Sequence, residues 1–144
     1  MKLDSGSFDE TAVASMRQTY FEAAEMLPRS TVILLATRCH LALNAMRSTR
    51  GSASTAKTLL EVTFVANLLT ERGYGRLDED AVRDSETAIR AAILTGVQHD
   101  CWDIQEADFP AVSRVVEAFE EQLESAPAAD VERAFQLAKA VTGL

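Results

Sequence analysis

The chain has 144 residues, 47% of them hydrophobic and 25% charged, a balance that supports one ordinary globular domain and excludes a disordered or fibrous chain. Its longest strongly apolar run, residues 32–36, falls far short of the roughly 20 residues that cross a bilayer, so a spanning helix is not expected. The formal charge of -8 is polarised: residues 1–77 hold 9 Lys or Arg against 7 Asp or Glu, and residues 78–144 hold 5 against 15.

Residues 1–10 lack the apolar core and small-residue cleavage site of a secretory signal, which points to the cytoplasm. In chain order, Ser7 and Glu10 have the spacing of a capping box. The amphipathic pattern Val13, Met16, Tyr20, Ala23 and Leu27 then predicts a first helix closed by Pro28. Over residues 31–46 apolar side chains cover most of the helix circumference, the pattern of a central helix. The small polar stretch 48–54 reads as a loop, with Ser52 or Ser54 as the next cap.

A third helix runs to about Arg72 on Leu59, Val62, Ala66 and Leu69, with Gly73 as its left-handed stop. Asp78 caps a fourth, whose first turn carries Glu79 and Asp80 and whose buried face is marked by Val82, Ile89, Ile93 and Val97. Residues 96–107 show no sustained period and read as a loop with at most a short helical turn. Asp108, Phe109 and Pro110 open a fifth helix with Val112, Val115, Val116, Phe119 and Leu123 inward. Residues 125–127 break it, and a sixth helix over 128–141 carries Val131, Ala134, Phe135, Ala138 and Val141 on one side. No alternating run suggests a strand. The expected architecture is a single all-α domain over 1–144, an irregular bundle of about six helices with the second and third at its centre.

Chemistry-bearing motifs are scarce. Cys39, His40, His99 and Cys101 supply the inventory of a zinc site but not its spacing, so no metal is expected. Neither His has a Glu three residues before it, which excludes a carboxylate-bridged di-iron bundle. A Cys39 or Cys101 nucleophile with His99 as base has nothing else to support it. Two cysteines make no disulfide framework, and both are expected reduced. There is no phosphate loop and no nucleophile elbow, and Arg47 stands where a histidine phosphotransfer loop needs its His. The expectation is a protein without catalytic residues, cofactor or metal.

Interaction is the better-supported class. Thr37, His40, Asn44 and Arg47 recur at helical spacing as one polar stripe on an otherwise apolar rod, the form of a polar groove or a subunit seam. Trp102 and Phe109, aromatics in an irregular acidic segment, are residue types that either cap a core or anchor an interface. The apolar surplus of several helices favours a protein partner or a homodimer. Residues 29–57 contain Arg29, Arg38, Arg47, Arg50 and Lys57 and no acid, so the alternative is nucleic-acid association through Arg47, Arg50 and Lys57. A further alternative is an acidic inhibitor in which residues 78–132 imitate nucleic acid.

The run from Thr58 to Leu69 ending in Arg72, Gly73, Tyr74 and Gly75, with Trp102-Asp103-Ile104, Phe119-Glu120-Glu121-Gln122-Leu123 and Glu132-Arg133-Ala134-Phe135, resembles a group of small helical proteins encoded by bacterial plasmids and prophages. It covers half to two thirds of the chain through packing patterns. The resemblance implies an accessory gene on a mobile element and carries over no catalytic residue.

Overall fold

A computed structural model describes residues 25–143. Over them the protein is all-α, with five helices: α1 (Arg29–Ala45), α2 (Ala53–Glu71), α3 (Glu79–His99), α4 (Phe109–Ser125) and α5 (Ala128–Thr142). The helix expected from Ser7 lies outside the described residues up to position 24. Its expected last turn is corrected, because residues 25–28 are not helical. Met26 instead forms an isolated bridge with Pro127, and the Ala128 N–H donates to the Glu25 carbonyl at 2.7 Å. Pro28 opens α1 as its N-cap rather than closing a preceding helix.

Local sequence accounts for the other boundaries. Ser52 is the cap of α2, accepting from the Thr55 N–H at 3.3 Å while the Thr55 hydroxyl accepts from the Ser52 N–H at 2.8 Å. This reciprocal pair satisfies two backbone donors that the first turn leaves unpaired. Gly73, at φ 95°, follows the α2 cap residue Arg72 in the left-handed region that favours glycine. Asp78 accepts from the Ala81 N–H at 2.8 Å and starts α3. That helix continues through residues 96–99, read from the sequence as loop, and stops at Asp100 with φ 55°.

Packing assigns α2, and not α1, to the centre. Helix α2 touches all four others, and its Ala56, Leu59, Leu60, Val62, Val65, Ala66 and Leu69 are buried. Helix α1 packs mainly on α2 and α4 and buries only Cys39, Ala42 and Leu43. The expectation of two central helices is therefore corrected: α1 has the composition of an interior helix but lies on the outside. On α3, Val97 is 73% exposed and the neighbouring Gly96 is buried in its place. Val141 of α5 is likewise exposed, whereas Val131, Ala134 and Ala138 are buried.

Two polar contacts orient the bundle. The buried hydroxyls of Thr63 and Ser85 lie 3.1 Å apart across α2 and α3; Thr63 donates to the Leu59 carbonyl, so Ser85 is left to donate to Thr63. Asp130, in the first turn of α5, accepts from the Tyr74 hydroxyl at 2.8 Å and pairs with Arg72 at 3.5 Å. This fixes the start of α5 at the end of α2, so the two helices run antiparallel.

Candidate functional site

The polar stripe of α1 divides into two parts. His40 pairs with Glu120 of α4, and Arg47 donates to Glu106 at 2.8 Å while its guanidinium lies 4.2 Å from the centre of the Phe109 ring. His40 joins α1 to α4, and Arg47, in the turn that follows α1, joins that turn to the segment before α4 and to its first residue; the exposed Arg47–Glu106 ion pair contributes about 0–1 kcal/mol and the cation–π contact about 0.5–1 kcal/mol. Thr37 and Asn44 are exposed. Two members of the stripe thus meet α4 and the segment before it, and the other two face outward.

The basic residues singled out from the sequence are also separated by their partners. Arg47 is held by Glu106, and the Lys57 ammonium is 3.9 Å from Glu61, one turn along α2. Arg50 is exposed and makes no ion pair among the described residues. Phe109 is half-buried beneath Arg47. Trp102 is half-buried as well, packed on the core with its indole N–H donating to Asp100 at 3.1 Å. Both aromatics cap the bundle's own core.

A concave surface lies elsewhere. A half-open cleft of about 750 Å³ is bounded by α1, α2 and α5. Leu27, Leu35, Cys39, Val62, Val131 and Phe135 supply its apolar surface, and Arg38, Lys57, Lys139, Glu61 and Glu132 its charges. It exists because α1 and α5 both pack on α2 without closing on each other. Glu61 is only 12% exposed, and its Oε1 has no hydrogen bond among the described residues. Sequence reasoning had picked out Lys57 alone among these charged groups. Arg38, interrupting an apolar run, was the available signal for the rest.

Helix α1 turns Leu34 and Leu41 outward next to the cleft residue Arg38, at 60% and 63% exposure, and Ile33 outward on the side of the polar stripe, at 55%. Leu34, Arg38 and Leu41 follow at steps of four and three, so they form one row along the α1 lip of the cleft. These apolar residues were expected in a core. Periodicity registers that a helix is apolar all round but not whether a neighbour covers every side.

The cleft floor is not arranged for thiol chemistry. Burial is the main cause that pushes the Cys39 thiol from 9.0 up to about 12, opposed by the nearby Arg38 charge and reinforced by Glu120. At neutral pH it stays protonated, whereas a nucleophilic cysteine needs thiolate. The unfolded chain ionises Cys39 first, so the raised folded value implies stability that is complete below pH 9 and lost as pH rises toward 12. In alkaline denaturation series, Cys39→Ala is expected to have a shallower decline over that window than the parent; parallel curves would contradict this. Among the described residues no three His, Cys, Asp or Glu side chains are grouped to hold a metal ion, and no helix is long and apolar enough to cross a membrane.

Compared with family models, curated proteins and solved structures, the chain matches none.

Proposed function

We propose that the protein is a non-enzymatic protein–protein interaction or regulatory module that works through the outer face of α1 and the adjoining cleft. The observation that supports this reading is the pair Leu34 and Leu41, more than half exposed on either side of Arg38 along one row of α1, with Ile33 also exposed on the neighbouring row. Scattered exposed leucines are ordinary, but two on one row beside a concave surface, on a helix apolar all round, are the form that binding surfaces take. The partner is a second protein, or a second copy of the chain. The resemblance described above adds a setting, an accessory gene of a bacterial mobile element acting in the cytoplasm.

Nucleic-acid association is less well supported, since Arg47 and Lys57 already have acidic partners and the whole chain carries a charge of -8. The acidic-inhibitor alternative has only exposed carboxylates such as Glu117, Glu121 and Glu124 behind it, which a solvated helix face equally explains.

Affinity capture of the tagged protein from its host, with and without nuclease, separates these readings. The expected result is a stoichiometric protein partner, or the chain itself, that survives nuclease and persists in Arg47→Ala/Arg50→Ala. Recovery of nucleic acid alone, lost at high salt and in that double variant, would replace the proposal with the nucleic-acid reading.

A further inference from the structure

We propose that the cleft between α1, α2 and α5 seats an amphipathic helix of a partner protein that carries carboxylates at one end. The inference rests on the interaction-module reading and specifies the partner's chemistry. Its first support is length. On α5 the lining extends from Ala128 to Lys139, about 16 Å at the α-helical rise, which is the length of a three-turn helix. An apolar floor flanked by helical walls takes such a helix through side chains at i, i+3 or i+4, and i+7.

The second support is the distribution of charge along the cleft. Tyr74 and Arg72 hold Asp130 at the C-terminal end of α2, so Lys139 lies toward the opposite end, where α2 contributes Ser54 and Lys57. Arg38 lines the same cleft from α1, and neither Arg38 nor Lys139 has an ion pair among the described residues. Lys57 and Glu61 pair with each other along α2, and Glu132 lies two turns back along α5 from Lys139. Arg38 and Lys139 are then the cations of the cleft left without an acidic partner among the described residues, and with Glu132 set back from it the Lys139 end is the basic end. A helix whose carboxylates sit at that end supplies acidic partners for Arg38 and Lys139 while its apolar row covers Phe135 and Val62.

The test uses the full chain and two fluorescent synthetic peptides of about 14 residues with leucines on one helical face. One ends in glutamates and the other has lysines at those positions. Anisotropy titrations are expected to give the glutamate peptide an affinity about tenfold higher. Arg38→Glu/Lys139→Glu, both exposed positions, should reverse that order with an unchanged melting curve. Equal affinities, a preference for the lysine peptide, no binding of either, or an order untouched by the charge reversal would each overturn the proposal. Any of these failures with a nuclease-resistant partner still captured removes only the acidic-helix assignment. Absence of that partner removes the module reading itself. If neither peptide binds and the solution mass is that of a dimer, the cleft belongs to a second copy.

Discussion

Gly96→Ala is expected to destabilise the protein by about 2–3 kcal/mol, the upper part of the range for forcing atoms into a filled core. A Cβ at Gly96 would stand 2.1–2.4 Å from three atoms of the Trp102 indole. The base of the ring is held in place, because the Gly51 backbone approaches it so closely that a Cβ there would stand 2.9 Å from the Trp102 Cβ, and the next residue but one, Ile104, donates its N–H to the Met46 carbonyl at 2.8 Å. As the chain has one tryptophan, its fluorescence should shift to the red as the ring is displaced. In a Trp102→Ala background the sign should reverse: with the ring gone, alanine is favoured over glycine inside a helix by about 1 kcal/mol. An equal penalty in both backgrounds would mean that Gly96 is required for some reason other than the indole.

Gln122→Ala is expected to cost about 3 kcal/mol, combining lost hydrogen bonds with a cavity. Gln122 is fully buried, and its amide nitrogen lies 2.9 Å from the Ala66 carbonyl, 2.9 Å from the Thr70 hydroxyl and 3.0 Å from the Tyr74 carbonyl. It thus ties α4 to the end of α2 and to the turn that follows, where its side chain also lies against Gly75. Thr70 donates to the Ala66 carbonyl as well, so the Tyr74 carbonyl is the acceptor that loses most. Gln122→Met keeps the volume and should recover part of the loss. Gln122→Glu should be the worst at neutral pH, since a carboxylate would face carbonyl oxygens in a buried site. Burial raises the folded pKa of such a group, so this variant alone should regain stability as pH falls toward the ordinary Glu range. Urea titrations at two pH values check the series, and a Gln122→Glu variant as stable as the parent at neutral pH would contradict the assignment.

The sequence was most informative where structure depends on near neighbours. The caps at Ser52 and Asp78, the stop at Gly73 and the break at residues 125–127 each follow from groups within a few positions of one another, and all are where the local chemistry puts them. The inward face of α4 was legible for the same reason, because Val112, Val115, Val116, Phe119 and Leu123 recur at helical spacing and all are buried. Gln122 lies within that set, and its position between Phe119 and Leu123 was the available sign of a buried amide.

What was not legible depends on distant partners. The exposure of Ile33, Leu34 and Leu41 follows from α1 meeting only one side of the bundle, which composition does not record. The choice of Gly96 over Val97 for the core follows from the tryptophan folded back across the Asp100 reversal. The cleft arises from the spacing between α1 and α5, two helices far apart in the chain. No motif encodes that spacing, and the candidate residues named from the sequence, apart from Lys57, therefore lie outside it.

On the proposed function, the outer face of α1 serves binding and not folding. The most direct measurement compares the parent with Ile33→Ser/Leu34→Ser/Leu41→Ser in thermal melting and in capture of the nuclease-resistant partner or second copy. A melting temperature within about 3 °C of the parent together with loss of capture is the expected result. A variant that melts far lower, or one that keeps its partner at parental stoichiometry, would contradict it.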